Sequence, residues 1–257
     1  MTVTPPAIEL PPGHRLVSLA ERADLIDATD FHNGSVWPAF MLEDEVAHRL
    51  FGRCFTDWPQ LQFVLLDAAD RIVATNNCMP LAWDGTDEGL PEGWDDQVER
   101  SVRDHDEGRE MNTLGAMQIV VSRGARGGGH SGTMVKAMRA VAASSGYRAV
   151  IACVRPTLKE RYPLVPIERY AEWRRKDGLP FDPWIRLHAR LGGRVVKAAP
   201  RSMTIRGSVE DWERWTGLHF PDSGQYVLDG ATQPVTVDRE RDEGVYFDQN
   251  VWMVHEL

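Results

Sequence analysis

An α+β fold, built on a mixed and largely antiparallel central sheet flanked by helices, is what this 257-residue sequence predicts. Three observations carry the prediction. Residues 115–154 read as strand, glycine-rich loop, amphipathic helix and strand, and a helical crossover of that length makes the two strands parallel neighbours. Residues 62–67 and 71–76 are apolar runs on either side of the polar turn Ala68-Ala69-Asp70, which reads as an antiparallel hairpin. Beyond Gly193 come several short strand-like runs separated by turn residues, an extended C-terminal strand region over 199–257.

The elements follow in order. Residues 1–13 contain Pro5, Pro6, Pro11 and Pro12 and lack both the basic start and the apolar run of a signal peptide, so they read as a flexible arm before a single domain, 14–257. A short strand is expected over 15–19. Leu42, Val46, Leu50, Phe51, Cys54 and Phe55 then mark the apolar stripe of one helix. Trp94, Val98 and Val102 recur every fourth residue in an acidic stretch, the pattern of an exposed helix with one narrow apolar edge. In the parallel unit, Ala116-Met117-Gln118-Ile119-Val120-Val121 is apolar almost throughout, as in a strand buried on both faces. Met134, Val135, Met138, Val141 and Ala142 form the buried stripe of the crossover helix, which Ser145-Gly146 ends. Residues 155–181 are an insertion rich in Arg, Tyr and Trp, ahead of a helix that begins near Asp182. Residues 194–196 and 203–205 read as two strands, 209–217 as a helix, and 225–228, 234–237 and 250–254 as further strands.

Composition narrows the function classes. A formal charge of −9 argues against a nucleic-acid binder, and no apolar run is long enough to span a membrane. Cys54, Cys78 and Cys153 are odd in number and lie in apolar surroundings, which suggests reduced core thiols and a cytoplasmic protein. The eight histidines show no metal-ligand spacing, so no metal site is expected.

The chemistry lies in the turn Ser122-Arg123-Gly124-Ala125-Arg126-Gly127-Gly128-Gly129-His130-Ser131-Gly132. A glycine-rich loop that feeds a helix N-terminus presents backbone N–H groups where the helix dipole favours an anion, and Arg123 and Arg126 add positive charge. Four motifs compete for these residues. No lysine follows Gly132 as a Walker loop requires. Gly127-x-Gly129-x-x-Gly132 satisfies GxGxxG, but Val154-Arg155-Pro156 stands where the dinucleotide fingerprint needs an acid. Gly129-His130-Ser131-Gly132-Thr133 comes within one residue of the GxSxG elbow of α/β-hydrolases, with Ser131 as nucleophile and His255 downstream. Arg126-Gly127-Gly128-Gly129-His130-Ser131 fits the fourth pattern best. It resembles the [QR]xxGx[GA] pyrophosphate loop of the GNAT superfamily of acyl-CoA-dependent N-acetyltransferases, with Ser131 in place of the usual Gly or Ala. A second match, Asp182 to Gly193, looks like the family's helix ending in a leucine-glycine turn, with His188 where many members carry tyrosine.

The resemblance covers roughly residues 112–198 and implies a GNAT-like sheet. It also implies acetyl-CoA as co-substrate, bound along Ile119, Val120 and Val121 and the loop residues Arg126, Gly127, Gly128, Gly129, His130, Ser131 and Gly132. The acceptor would be a small-molecule amine, with Phe31, Trp37 and Phe40 as candidate contacts. The family's usual glutamate base falls on Gly115, so Glu110 or Glu107, or a water held by backbone groups, would have to serve, while His188 is placed to protonate the departing thiolate. An acyl-CoA sensor of the same fold and a serine hydrolase are the alternatives. Neither the acceptor nor the oligomeric state is legible.

Overall fold

The computed structural model describes residues 8–257; the first seven residues of the expected N-terminal arm lie outside that range. The chain starts with β1 (Arg15–Ser18), followed by α1 (Ile26–Gly34). The segment expected as one helix is instead a 3₁₀ turn Ala39–Glu43, a π-type turn Ala47–Phe51 and the short α2 (Arg53–Asp57). Asp44 causes the break, because its extended backbone interrupts the helix and its carboxylate accepts from the N–H of Ala47 at 2.7 Å.

The hairpin is β2 (Phe63–Leu66) and β3 (Ile72–Leu81), the second strand running five residues further than the apolar pattern suggested. Polar Asn76 and Asn77 stand where that extension begins and are buried, so hydropathy alone hid it. α3 (Trp94–Asp106) packs on the sheet, with Trp94, Gln97, Val98, Ser101, Val102 and Asp104 buried. Its buried face is therefore much wider than the apolar edge implied, since Gln97, Ser101 and Asp104 complete it; the Asp104 carboxylate accepts from the N–H of Ala82.

β4 (Thr113–Val121), α4 (His130–Ser144) and β5 (Ala149–Val154) form the parallel unit as expected. After β5 the chain covers one face with α5 (Ile167–Ala171) and α6 (Pro183–Arg190), the latter capped by the Asp182 carboxylate. The two strands expected over 194–205 are one bulged strand, β6 (Arg194–Gly207). Pro200 lies within its irregular middle, where ladder pairing skips from Ala199 to Met203. Then come α7 (Val209–Thr216), β7 (Gly224–Tyr226), β8 (Val235–Asp238) and β9 (Glu243–Glu256).

Among the described residues all nine strands join one sheet, in the order β1-β2-β3-β4-β5-β9-β8-β7, with β6 also on β9. Only β4 and β5 are parallel. The largest core packs α3 and α4 around β2 to β5, and a second core around Trp212, Phe220 and Tyr246 fills the C-terminal half. The 155–181 segment is anchored by mutual packing of Tyr162, Tyr170, Trp173 and Phe181. The three cysteines are free and buried.

Two details of register open a site. β4 pairs with β5 only as far as Ala116↔Ala152, and then runs on to Val121 paired with β3 alone. A bulge sets the divergence: Asn77 faces Gln118 but Cys78 faces Ala116, leaving Met117 as the extra residue. On β9, β5 ends opposite Val251 and β8 begins opposite Val245, so residues between them have no strand on that side.

Candidate active site

A cavity of about 1400 Å³ occupies the space where β4 and β5 part. One end is the glycine loop. Gly129 is the N-cap of α4 in the left-handed conformation, φ +77°, and Gly127 has φ +87°. A Cβ on either would meet no atom of the chain within 4 Å, so both present open backbone outward. The N–H groups of Gly127, Gly129, His130 and Ser131 have no backbone acceptor among the described residues. With Arg123 and Arg126 also lining the cavity, this end is an anion cradle. Gly132 sits in the first turn of α4, where its N–H bonds to the carbonyl of Gly129 at 3.0 Å. Gly128 packs against the His130 ring, whose Nε2 would lie 2.6 Å from a Cβ there.

Met117 to Val121 of β4 form one wall of the cavity. The Met117 carbonyl at the bulge accepts from the Trp94 indole at 3.0 Å. Gln118 starts a buried amide chain: its Oε1 accepts from Trp37 Nε1, and its Nε2 donates to Asn77 Oδ1, which also accepts from Asn33 at 2.8 Å. Polar residues interrupting apolar strands were the signal for this chain, and sequence reasoning passed over it.

Carboxylates line the cavity as well. Asp27 and Asp30 on α1, Glu160 in the covering segment and Asp229 before β8 are exposed along its lining. Below them the buried Asp248 carboxylate accepts from Arg155 Nε at 3.0 Å and from Tyr246 and Thr232. Arg155 also donates to the Gly230 carbonyl at 2.6 Å, tying the Asp229 loop to the end of β5. Burial opposes the arginine's charge, but the nearby Asp248 and Tyr246 outweigh it and raise its pKa.

His188 lies on α6 and lines the cavity. It is buried, its Nδ1 is 2.9 Å from Nε2 of buried His255 on β9, and the Trp184 ring packs edge-on against it. Its own Nε2 has no partner among the described residues. Burial, reinforced by His255, lowers the His188 pKa to about 3. Burial and the neighbouring Arg139 lower His255 to about 4, against an opposing contribution from the Leu191 backbone. Both rings are therefore neutral at physiological pH.

Other expected site residues lie elsewhere. Phe31 is 81 % exposed and outside the cavity lining, because it occupies the solvent side of α1. Phe40 is buried against Trp212 and Tyr246 and belongs to the second core, so of the three aromatics only Trp37 lines the cavity. Glu110 is exposed between α3 and β4, at the opposite end of β4 from Val121, and does not line the cavity. Glu107 is engaged with Arg109 on the same surface. Ser131 lies in the first turn of α4, and His255, which a hydrolase triad would need beside it, faces His188 instead.

Comparison with solved structures decides the architecture. The loading GNATL domain of CurA from Lyngbya majuscula superposes with a TM-score of 0.57 at 15% identity, covering 95% of this chain and 97% of that one. The fold is that of the GNAT superfamily. The GphF GNAT-like decarboxylase in complex with isobutyryl-CoA matches this chain with a TM-score of 0.54 at 16% identity, over 95% and 98% of the two chains. In sequence, the arginine N-acetyltransferase avaD of Aspergillus versicolor is 29% identical over 282 residues, covering 97% of this chain and 96% of the relative. No family model matches.

Proposed function

We propose that this GNAT protein is an N-acetyltransferase that moves the acetyl group of acetyl-CoA to the amine of a small cationic molecule. The observation that carries the proposal is a single cavity lined both by a glycine loop with unpaired backbone N–H groups beside two arginines and by four carboxylates, Asp27, Asp30, Glu160 and Asp229. The first suits a pyrophosphate and the second a protonated amine or guanidinium. The near full-length relationship to an arginine N-acetyltransferase supports the same reading.

The residues fit acetyl-CoA, which supplies an activated thioester carbonyl. Gly127, Gly129, His130 and Ser131 would hold the pyrophosphate through N–H groups that have no acceptor among the described residues. The unpaired edge of β4 after Ala116 offers backbone N–H groups to the carbonyl oxygen, stabilising the charge that develops there. Acyl transfer also takes a proton from the attacking nitrogen and needs one at the departing sulfur. With Glu110 remote, His188 is the group placed to carry that proton, because its Nε2 is buried, unpartnered and at the cavity wall.

Calorimetric titration with acetyl-CoA, followed by an acetylation assay over arginine, agmatine, polyamines and neutral amines, tests the proposal. Micromolar acetyl-CoA binding and turnover confined to cationic amines is the expected result. Binding without turnover would favour an acyl-CoA sensor, and an absence of binding would overturn the proposal.

A further inference from the structure

One cation of the cavity has no part in the glycine loop. Among the described residues that line the cavity, the lysines and arginines are Arg123, Arg126 and Arg155, and the first two belong to the loop before α4. Arg155 directly follows β5, and its guanidinium is held on three sides. Nε donates to both oxygens of Asp248, at 3.1 and 3.0 Å, and Nη2 donates to the Gly230 carbonyl at 2.6 Å. The centre of the Trp37 ring lies 5.7 Å from the guanidinium carbon, and Trp37 is itself fixed by its indole bond to Gln118. The remaining nitrogen, Nη1, has no acceptor among the described residues. Unlike Arg139 Nε it is not sealed from solvent, since the Arg155 side chain is 18 % exposed and lines the cavity. An arginine immobilised by its other donors and left with one free amino group is a preorganised partner for a carboxylate.

The local charge favours an anion there. Thr232 links a second buried cation to the same carboxylate, because its hydroxyl donates to Asp248 and its carbonyl accepts from Lys159 Nζ. One buried carboxylate thus stands against two cations, and Arg155 retains attraction for a further negative charge. The other charged groups of this part of the lining are acidic: Asp27, Asp30, Glu160 and Asp229. A ligand that complements one cation and several carboxylates carries a carboxylate together with at least one cationic group.

We propose that Arg155 binds the carboxylate of the acceptor through Nη1, and that the acceptor is an amino acid with a cationic side chain rather than a decarboxylated amine. The inference rests on the acceptor lying in this cavity, as the proposed acetyl transfer requires. Arg155 is then a specificity-determining residue, in contact with substrate but not with the atoms that react. One charge-assisted hydrogen bond, at a place where water replaces a missing ligand group, gives a preference of about tenfold to a hundredfold.

Calorimetric titration of the wild-type protein in the presence of CoA, with arginine, arginine methyl ester and agmatine, tests this without turnover. Arginine should bind about tenfold or more tighter than either analogue; equal affinities, or no binding of arginine, would overturn the inference. In acetylation assays arginine should hold the same advantage over agmatine in kcat/KM. Arg155→Lys keeps a cation beside Asp248 but removes Nη1, and should bring the two amines to within about threefold of each other. Any slackening of the Asp229 loop acts on both amines and leaves that ratio unchanged. A variant that keeps the wild-type ratio would refute the contact, and so would one that loses acetyl-CoA affinity instead, which would put Arg155 on the cofactor. If arginine is preferred in binding but no amine is acetylated, the acetyltransferase reading fails while the carboxylate site stands. Equal acetylation of all three amines would leave that reading intact and remove the site.

Discussion

Replacing Gly193 with alanine should damage stability and turnover together, and the structure sets the size of both effects. The added methyl would sit 2.7 Å from His255 Cε1, 2.8 Å from its Nε2 and 2.9 Å from the His188 carbonyl oxygen. Ordinary carbon contacts are about 3.5–4.0 Å, so the neighbours must withdraw by roughly 1 Å. Neither can do so freely. The His255 ring is buried and bonded to His188, and the His188 carbonyl accepts from the N–H groups of both Leu191 and Gly193. Overpacking of this kind costs about 1–3 kcal/mol, and loss of the ring-to-ring hydrogen bond adds about 1 kcal/mol. A total near 3 kcal/mol lowers Tm by about 6–12 °C in a chain of this size. Because the displaced ring is the one bonded to His188, kcat should fall about tenfold or more, with acetyl-CoA affinity retained. Differential scanning fluorimetry and steady-state kinetics on the purified variant read both quantities. An alanine variant with unchanged Tm and unchanged kcat would refute the argument that the turn at Gly193 exists to admit the His255 ring.

Gly129→Val should raise the acetyl-CoA dissociation constant at least about tenfold by calorimetry, since a branched side chain is strained at φ +77° and would project into the anion cradle. Arg155→Met should destabilise the protein by about 3 kcal/mol or more in urea titration, because it leaves the Asp248 carboxylate buried without its charge partner; it should also raise KM for the amine by freeing the Asp229 loop. Burial and the nearby Asp44 carboxyl push Asp95 up to about 8 in the fold, so the folded chain keeps a proton that the unfolded chain releases near pH 4. Wild-type stability therefore declines across that window as pH rises, and Asp95→Asn should match wild type near pH 4 yet exceed it by about 1–3 kcal/mol at pH 8; a difference independent of pH would contradict this. The two buried histidines have the opposite sense. Held neutral with pKa values of about 3 and 4, they forfeit stability as pH falls below about 6.5, where the unfolded rings take protons. The Tm difference between His188→Phe and wild type should accordingly shift in the variant's favour between pH 7 and pH 5.

The parallel unit and its loop were legible because every signal there is local. Strand hydropathy, a dense run of glycines and a helical stripe occur in adjacent residues, and α4 starts where the glycine run ends. The places of the three aromatics and of Glu110 were not legible. Phe31, Trp37 and Phe40 look alike in sequence, yet one faces solvent, one the cavity and one the second core, which depends on how α1 and the turn after it lie on the sheet. Glu110 precedes β4, but strand direction carries it to the end remote from the loop.

The sequence by itself therefore determined the secondary structure of the central unit and the glycine-rich loop at the start of α4, since these follow from backbone preferences and side-chain periodicity over a few residues. Tertiary structure alone decided what surrounds them. His255 meets His188 across 67 positions and Asp248 meets Arg155 across 93, distances over which no local pattern operates. Only the register of β9, paired with β5 over Val251–Glu256 and with β8 over Glu243–Val245, brings Asp248 to the cavity and, on the opposite face of the strand, His255 to His188.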